Sequence, residues 1–523
     1  VCSALGSFGF VLIWCALLSA LVGSSYGYKI LGVFPTMAKS HYIVGSALMK
    51  GLAERGHDVT VISPFPLQPP MKNYRDVPFF LPGLMNNILD MTKLGIIEGF
   101  VNLFDMGIFI TNVTFEDPEV KKFLDNRNEK FDLVITEIFV NEAMLGFGQH
   151  FKAPVIGVST FGATLWNCDL VGSPSPPSYV PNPFLSFTDH MNLAERIGNL
   201  AINIFERIYM DYFYLPRQEV IYNQIFSDPK PSLEQLRKNV SMVLLNSHVS
   251  VGYPRPYMPN MIEVGGMHIN RKPKPLPADL QKYLDAAKEG VVYFSMGSNL
   301  KSKLLPREKL DHLIETFKSL KQKVLWKWED ENLPGKSDNI YISKWFPQDD
   351  ILAHPNVKLF ITHGGLLSTT EAIFHGVPVI GIPMFGDQFL NMGKIVQSKM
   401  GLMIKYDELT YDTLKPAIVE ILNNDQYGIA MKKRSQRYRD QPMNPLDTAI
   451  YWVEYVIRHK GAPHLRAGAQ DLSFIAYHNL DAIAILGGGV FLIFYLLFAM
   501  IRKLFTCGRA SSSKQIEKKK KKQ

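Results

Sequence analysis

From Tyr28 onward, short apolar runs alternate with segments whose apolar residues recur at helical spacing. Lys29–Phe34 is short and apolar, Val44, Ala47, Leu48 and Leu52 mark one helix face running to Arg55, and Gly56 suits its end. Asp58–Ser63 is again a short apolar run. A strand, a crossover helix and a second strand make a βαβ unit, which predicts a parallel sheet. Further strands are expected at Phe131–Glu137, Pro154–Thr160 and Val240–Ser247. Segments 65–115 and 172–216 are apolar without a clean period and are expected to be irregular. They read either as walls around an apolar ligand or as a cover for the sheet, and the pattern leaves both open.

A second series follows, with strands expected at Val291–Met296, Lys323–Trp328, Asn339–Trp345, Val357–Thr362, Val377–Ile382 and Leu402–Lys405 between helical segments. The predicted architecture is α/β: two doubly wound sheets facing each other across a cleft. The stiff, charged stretch 271–277 (RKPKPLP) places the linker between a first domain, 28–270, and a second, 278–460, that ends in a returning helix. A length of 523 residues suits two domains better than one core.

The two ends differ from this pattern. Residues 8–22 are an apolar run followed by Ser24, Ser25 and Gly27, which predicts a signal peptide over 1–27. After a juxtamembrane segment, 461–481, the stretch from Ala482 to Met500 carries no charge. At a rise of ~1.5 Å per residue it is long enough for a hydrocarbon core, so a transmembrane helix is expected over 482–501. The tail 502–523 holds nine positive charges against Glu517, which equals the whole formal excess of +8. Residues 1–501 are therefore formally neutral, and a nucleic-acid partner is not expected. Basic residues directly after the span place the tail in the cytosol and the body in the lumen, a single-pass type I arrangement. Lys520 and Lys521, four and three residues from the end, match a dilysine signal for return to the endoplasmic reticulum, and the tail after Arg509 is low in complexity and expected to be disordered. Cys168 is the one cysteine left in the body, so no internal disulfide is expected there. Asn112 and Asn239 head sequons for N-glycosylation.

The most specific chemistry lies between Trp345 and Gln388. Trp345 ends a strand and offers a flat face for a base, with Gln348 in reach of base or ribose. His363, Gly364 and Gly365 follow a strand and precede a helix expected to begin near Ser368. Glycines admit close backbone approach, and helix N-terminal amides favour a diphosphate; Ser368 and Thr369 add donors. Glu371 stands one turn in, where a carboxylate can accept both ribose hydroxyls, and Asp387 and Gln388 follow another strand end, where they can hold sugar hydroxyls. Ser295, Gly297 and Ser298 form a second turn suited to the phosphates.

This block resembles the signature of the UDP-glycosyltransferases, membrane-bound enzymes of the GT-B fold that conjugate small lipophilic molecules. The likeness covers nearly the whole chain, and the Thr-His-Gly-Gly-Leu-Leu-Ser variant at 362–368 looks most like the invertebrate branch. One departure is Leu367, where many relatives carry Asn. The resemblance implies an inverting hexosyltransferase with a UDP-sugar co-substrate, UDP-glucose before UDP-glucuronate, and a lipophilic acceptor. It also implies a catalytic histidine at the position of His41, which stands in the loop expected after the first strand. An imidazole there suits a general base. Its carboxylate partner, an Asp in many relatives, is here Glu137 or, one turn on, Glu142. No Asp-x-Asp motif or His/Cys cluster is evident, so no metal is expected. The rival readings are a nucleotide-sugar epimerase and a non-catalytic lipophile-binding member of the fold; homo- or hetero-oligomerisation stays open.

Overall fold

The computed structural model describes residues 27–81, 94–227, 230–298 and 300–520, with side chains as far as Leu504. The expected signal segment before Gly27, Lys521 and the side chain of Lys520 lie outside the described residues. The chain forms two compact units, one ending at Arg466 and one beginning at Ala467.

The first unit holds two wholly parallel sheets. Strands β1 (Lys29–Val33), β2 (Asp58–Ser63), β3 (Tyr74–Pro78), β4 (Leu133–Glu137), β5 (Val155–Ser159), β6 (Val240–Leu245) and β7 (Met261–Glu263) lie in the order β3-β2-β1-β4-β5-β6-β7. Strands β8 (Val291–Ser295), β9 (Lys323–Lys327), β10 (Ile340–Ser343), β11 (Val357–Thr362), β12 (Val379–Gly381) and β13 (Gly401–Met403) form the second, in the order β10-β9-β8-β11-β12-β13. Both orders reverse direction once, between β1 and β4 and between β8 and β11. In open parallel sheets these switch points leave a crevice beyond the carboxyl ends of the strands, where ligands bind. β3 and β7 were not expected; each is a short edge strand with mixed burial, so its apolar signal is weak.

Eight helices matter to the argument: α1 (Lys39–Glu54), α2 (Ile96–Glu116), α3 (Leu193–Tyr209), α4 (Gln348–Leu352), α5 (Leu366–His375), α6 (Gln388–Gln397), α7 (Pro445–Arg458) and α8 (Leu480–Lys520). α1 begins at Lys39 rather than Val44, because its first turn faces the cleft and lies outside the apolar stripe. α2 and α3 correct the expectation of irregular chain over 65–115 and 172–216. α2 buries Phe100, Phe104, Ile108 and Phe115 on one face, but Val101, Met106, Phe109 and Val113 make its other faces apolar too, so no single-face period stands out. α7 returns to the first sheet and packs Ala449, Ile450, Val453 and Val456 with Val44, Leu48 and Leu52 of α1. Gly51 of α1 permits this contact, since a Cβ there would meet Leu446 and Ile450 methyls at 3.0 Å. Residues 271–277 connect the sheets as coil, tied down where the amides of Asn270 and Lys274 donate to the carboxylates of Asp349 and Asp350.

In the second unit, Leu480–Leu504 of α8 has a mean hydropathy of 2.5 over its best window and no buried share, which makes it long and apolar enough to cross a membrane. α2 passes the same length test, but 39 % of its window is buried, with Phe100, Leu103, Phe104, Ile108 and Phe115 in the first core. α8 runs on through Lys520, where a disordered tail was expected. Lys, Gln, Glu and Ile are adequate helix formers, and extending an existing helix needs no new nucleus.

Candidate active site

One cleft of about 1320 Å³ gathers residues from both sheets, with His41 and Phe139 on one side and Trp345, Gln348, His363 and Asp387 on the other. On the first side, β1 delivers the chain to α1, whose first turn carries His41, while β4 ends at Glu137 and β5 leads into Thr160. These three strand ends meet because β1, β4 and β5 are adjacent. His41 Nδ1 lies 2.5 Å from Glu137 Oε1, and Thr160 Oγ1 lies 3.0 Å from His41 Nδ1 and donates to Glu137 Oε1 at 3.3 Å. Glu137 is 1 % exposed and its Oε2 has no hydrogen-bond partner, so its one strong partner is the imidazole. Phe139 and Phe161 meet the ring edge-on at 4.7 and 5.2 Å and fix its tilt. A proton held on Nδ1 by the carboxylate leaves Nε2, on the opposite edge, as the basic atom. Glu142, the other carboxylate weighed as partner, instead accepts from Tyr214 Oη at 2.5 Å, and burial raises its pKa.

On the second side, the β8 and β11 turns lie next to each other at the switch point. Gly297 adopts φ +78° and Gly364 φ +83°, both left-handed. A Cβ on Gly297 would lie 2.4 Å from His363 Cε1, and one on Gly365 would lie 2.5 Å from His363 Nε2. The two glycines thus form the slot that holds the imidazole. Burial first, and the charge of Lys327 second, lower the His363 pKa to about 4, so the ring is a neutral hydrogen-bonding group at physiological pH. Gly365 caps α5 without any side-chain acceptor, leaving its first amides uncapped toward an anion. Ser295 Oγ accepts from the Gly297 amide at 3.3 Å, and Ser298 lines the cleft.

Gln348, at the start of α4, donates to Glu371 Oε2 at 2.6 Å and Ser368 Oγ at 3.1 Å, and accepts from Tyr293 Oη at 3.2 Å. The Glu371 carboxylate is thereby pre-set for a diol. Gln388 Oε1 accepts from the amides of Met384 and Phe385, which turns its NH₂ end to other acceptors. Asp387 accepts from Asn391, and burial raises its pKa while His41 across the cleft works against that rise. Thr369 is not brought into the cleft: its hydroxyl donates to Gly365 O and Leu366 O within its own helix. Trp345 is 48 % exposed, and Lys39 Nζ sits 3.8 Å from its ring centroid.

The family described as "UDP-glucoronosyl and UDP-glucosyl transferase" matches residues 107–522. The chain belongs to that family. It is 38 % identical over 516 residues to "UDP-glycosyltransferase UGT5" of Dactylopius coccus, covering 96 % of this chain and 98 % of the relative. It is 36 % identical over 518 residues to "UDP-glucosyltransferase 2" of the same insect, covering 97 % and 99 %. A UDP-glucosyltransferase from Polygonum tinctorium, solved in complex with 3,4-dichloroaniline, superposes with a TM-score of 0.56 at 16 % identity over 83 % of this chain and 99 % of that one, which establishes the GT-B fold.

This UDP-glycosyltransferase has cleft residues that sequence reasoning missed. Thr160 closes the His41–Glu137 pair, and its signal was its place at the end of a predicted strand. His268, just before the linker, brings Nε2 to 3.3 Å from Glu371 Oε1, yet neither ring nitrogen has an aligned hydrogen-bond partner. Lys327 lines the cleft and pairs with Glu329 at 2.7 Å. Of the sequon residues, Asn112 lies within α2 with Thr114 buried and bonded to Ile110 O, whereas Asn239 is exposed at a helix end.

Proposed function

We propose that the enzyme transfers glucose from UDP-glucose, with inversion, to a hydroxyl of a small lipophilic acceptor. His41 Nε2 takes the acceptor proton, the acceptor oxygen bonds to the anomeric carbon, and the bond from that carbon to the diphosphate oxygen breaks. UDP leaves with the electron pair, its charge met by the uncapped amides of α5 and by His363. Glu137 stabilises the imidazolium that forms, and Thr160 keeps the pair in register. Trp345 takes the base, Glu371 the ribose, and Asp387 and Gln388 the sugar. The observation that carries the reading is the His41–Glu137–Thr160 cluster opening onto the same cleft as the donor residues.

Glucose is favoured over glucuronate because, among the described residues lining the cleft, the one lysine or arginine is Lys327, and Glu329 already neutralises it. The 36 % identical insect glucosyltransferase points the same way. Phe109, Phe139, Phe161, Trp166, Phe184 and Phe187 give the acceptor side an aromatic lining, which suits an apolar molecule. Amide and imidazole donors at the diphosphate support a reaction without a metal. The span and the tail support a body in the endoplasmic reticulum lumen. Microsomes carrying the enzyme are expected to glucosylate an aromatic acceptor from UDP-glucose, to continue in EDTA, and to stop with His41→Ala. Transfer from UDP-glucuronate alone, or a strict need for added Mn²⁺, would overturn these assignments.

A further inference from the structure

Between the two sheets, the segment that leaves β7 carries His268 into the cleft beside Glu371. Two turns hold that segment: Met267 N donates to Val264 O at 3.1 Å and Ile269 N to Gly266 O at 3.0 Å. Gly266 adopts φ +84° and admits the Tyr438 hydroxyl, whose oxygen a Cβ there would meet at 2.4 Å. Met267 packs into a core of the first sheet and Ile269 into a core of the second. With its neighbours fixed on either side, His268 lines the cleft, and its side chain is 3 % exposed. Neither ring nitrogen has an aligned hydrogen-bond partner among the described residues, although Nε2 lies 3.3 Å from Glu371 Oε1. Buried polar groups are nearly always paired, so an imidazole held rigidly at this place calls for a partner on the ligand.

The groups around the carboxylate say which partner. Gln348 gives its amide hydrogens to Glu371 Oε2 and Ser368 Oγ, and the Tyr293 hydroxyl gives its own to Gln348. A carboxylate only accepts, whereas a buried hydroxyl needs an acceptor for its hydrogen and a donor for its lone pairs. Beside Oε1, the imidazole is placed to supply that donor. We propose that His268 is a second ribose-binding group of the donor site: one ribose hydroxyl donates to Glu371 Oε1 and accepts from the N–H at His268 Nε2. This rests on the reading that Glu371 takes the ribose. A hydroxyl bonded from both sides is read strictly, because a nucleotide lacking it leaves two buried polar groups unpaired. His268 precedes residues 271–277 and Glu371 follows them, so the ribose is gripped by chain from both sides of the connection between the sheets.

The test is calorimetry on the detergent-solubilised full chain with UDP, 2′-deoxy-UDP and 3′-deoxy-UDP. The native enzyme is expected to prefer UDP to each deoxy analogue by roughly tenfold or more. His268→Phe should weaken UDP by about that factor and leave the Kd of one analogue unchanged, so that the preference against that analogue disappears. The unchanged Kd shows at the same time that the variant is folded. His268→Gln, whose amide nitrogen falls where Nε2 stands, should restore most of the preference, and the shorter His268→Asn should not. Equal weakening of UDP and both analogues overturns the proposal, since His268 would then be a packing residue. Full preference in His268→Phe overturns it as well. If the Phe variant binds no nucleotide, the Gln and Asn variants decide, and equal preference in those two overturns the proposal. Glu371→Gln separates this proposal from the reading beneath it. Loss of preference there, with preference kept in His268→Phe, sinks the role of His268 alone; preference kept in both sinks the ribose reading of Glu371 too.

Discussion

The two sides of the cleft are built by opposite strategies. On the donor side, Trp345 to Gln388 supply nearly every group in one run of chain: the turns after the adjacent strands β11 and β12 lie side by side, and the segment after β10, separated from β11 by two strands, reaches back to α5 through Gln348. On the acceptor side, His41, Glu137 and Thr160 come from three separate strand ends and meet only through the β1-β4-β5 pairing. On the donor side the backbone contributes directly, through the uncapped start of α5 and the left-handed turns at Gly297 and Gly364, beside the side chains of the block. On the acceptor side the contacts run between side chains. The proposed donor site is thus a compact, local motif, whereas the proposed proton-transfer group depends on long-range register.

The sharpest break of that comparison is His41→Ala. It is expected to lower kcat by ~10²–10⁴-fold, with the Kd for UDP, read by calorimetry, unchanged; parallel loss of UDP binding would merge the two sides into one. Next in size is Gly297→Ala, which drives a Cβ into His363 at a left-handed φ. The strain is on the order of 1–3 kcal/mol, so UDP affinity should fall tenfold or more while the His41–Glu137 pair stays intact. Trp345→Ala should cost ~1–3 kcal/mol of nucleotide binding and leave kcat at saturating donor nearly unchanged; a kcat defect instead would mean that the indole serves through Lys39. Thr160→Val removes one hydrogen bond, about 0.5–1.5 kcal/mol, and should appear as a several-fold drop in kcat with no change in donor KM.

A separate effect, on stability rather than turnover, is in acid. His363 has a folded pKa of about 4, below its unfolded value near 6.5, so the unfolded chain binds more protons between them. The stability this group contributes is present above pH ~6.5 and is lost as pH falls toward 4. His363→Asn should flatten that part of a melting-temperature profile, measured without nucleotide. An unchanged acid slope would show that the ring is not held neutral by the slot.

The sequence reading found the strands better than the helices near the acceptor. β1, β2 and β11 were legible because buried parallel strands are short apolar runs bounded by polar loops. α2 and α3 were not, for different reasons: α2 is apolar around most of its circumference, and α3 carries its polar residues inward and its apolar ones outward. Either case defeats a pattern that assumes one apolar face toward one core.

What the sequence determined by itself was the alternation of strand and helix, the charge-free segment from Ala482 to Met500, and the contiguous block from Trp345 to Gln388 whose side chains line the cleft. Local chemistry suffices there, since each group follows within a few residues of a strand that its own short apolar run marks. Only tertiary structure decided that Glu137 rather than Glu142 faces His41, that Thr160 joins them, and that Thr369 turns away. Each depends on which strands pair and where each side chain lands, and a single buried contact across about a hundred residues leaves no periodic trace in the chain.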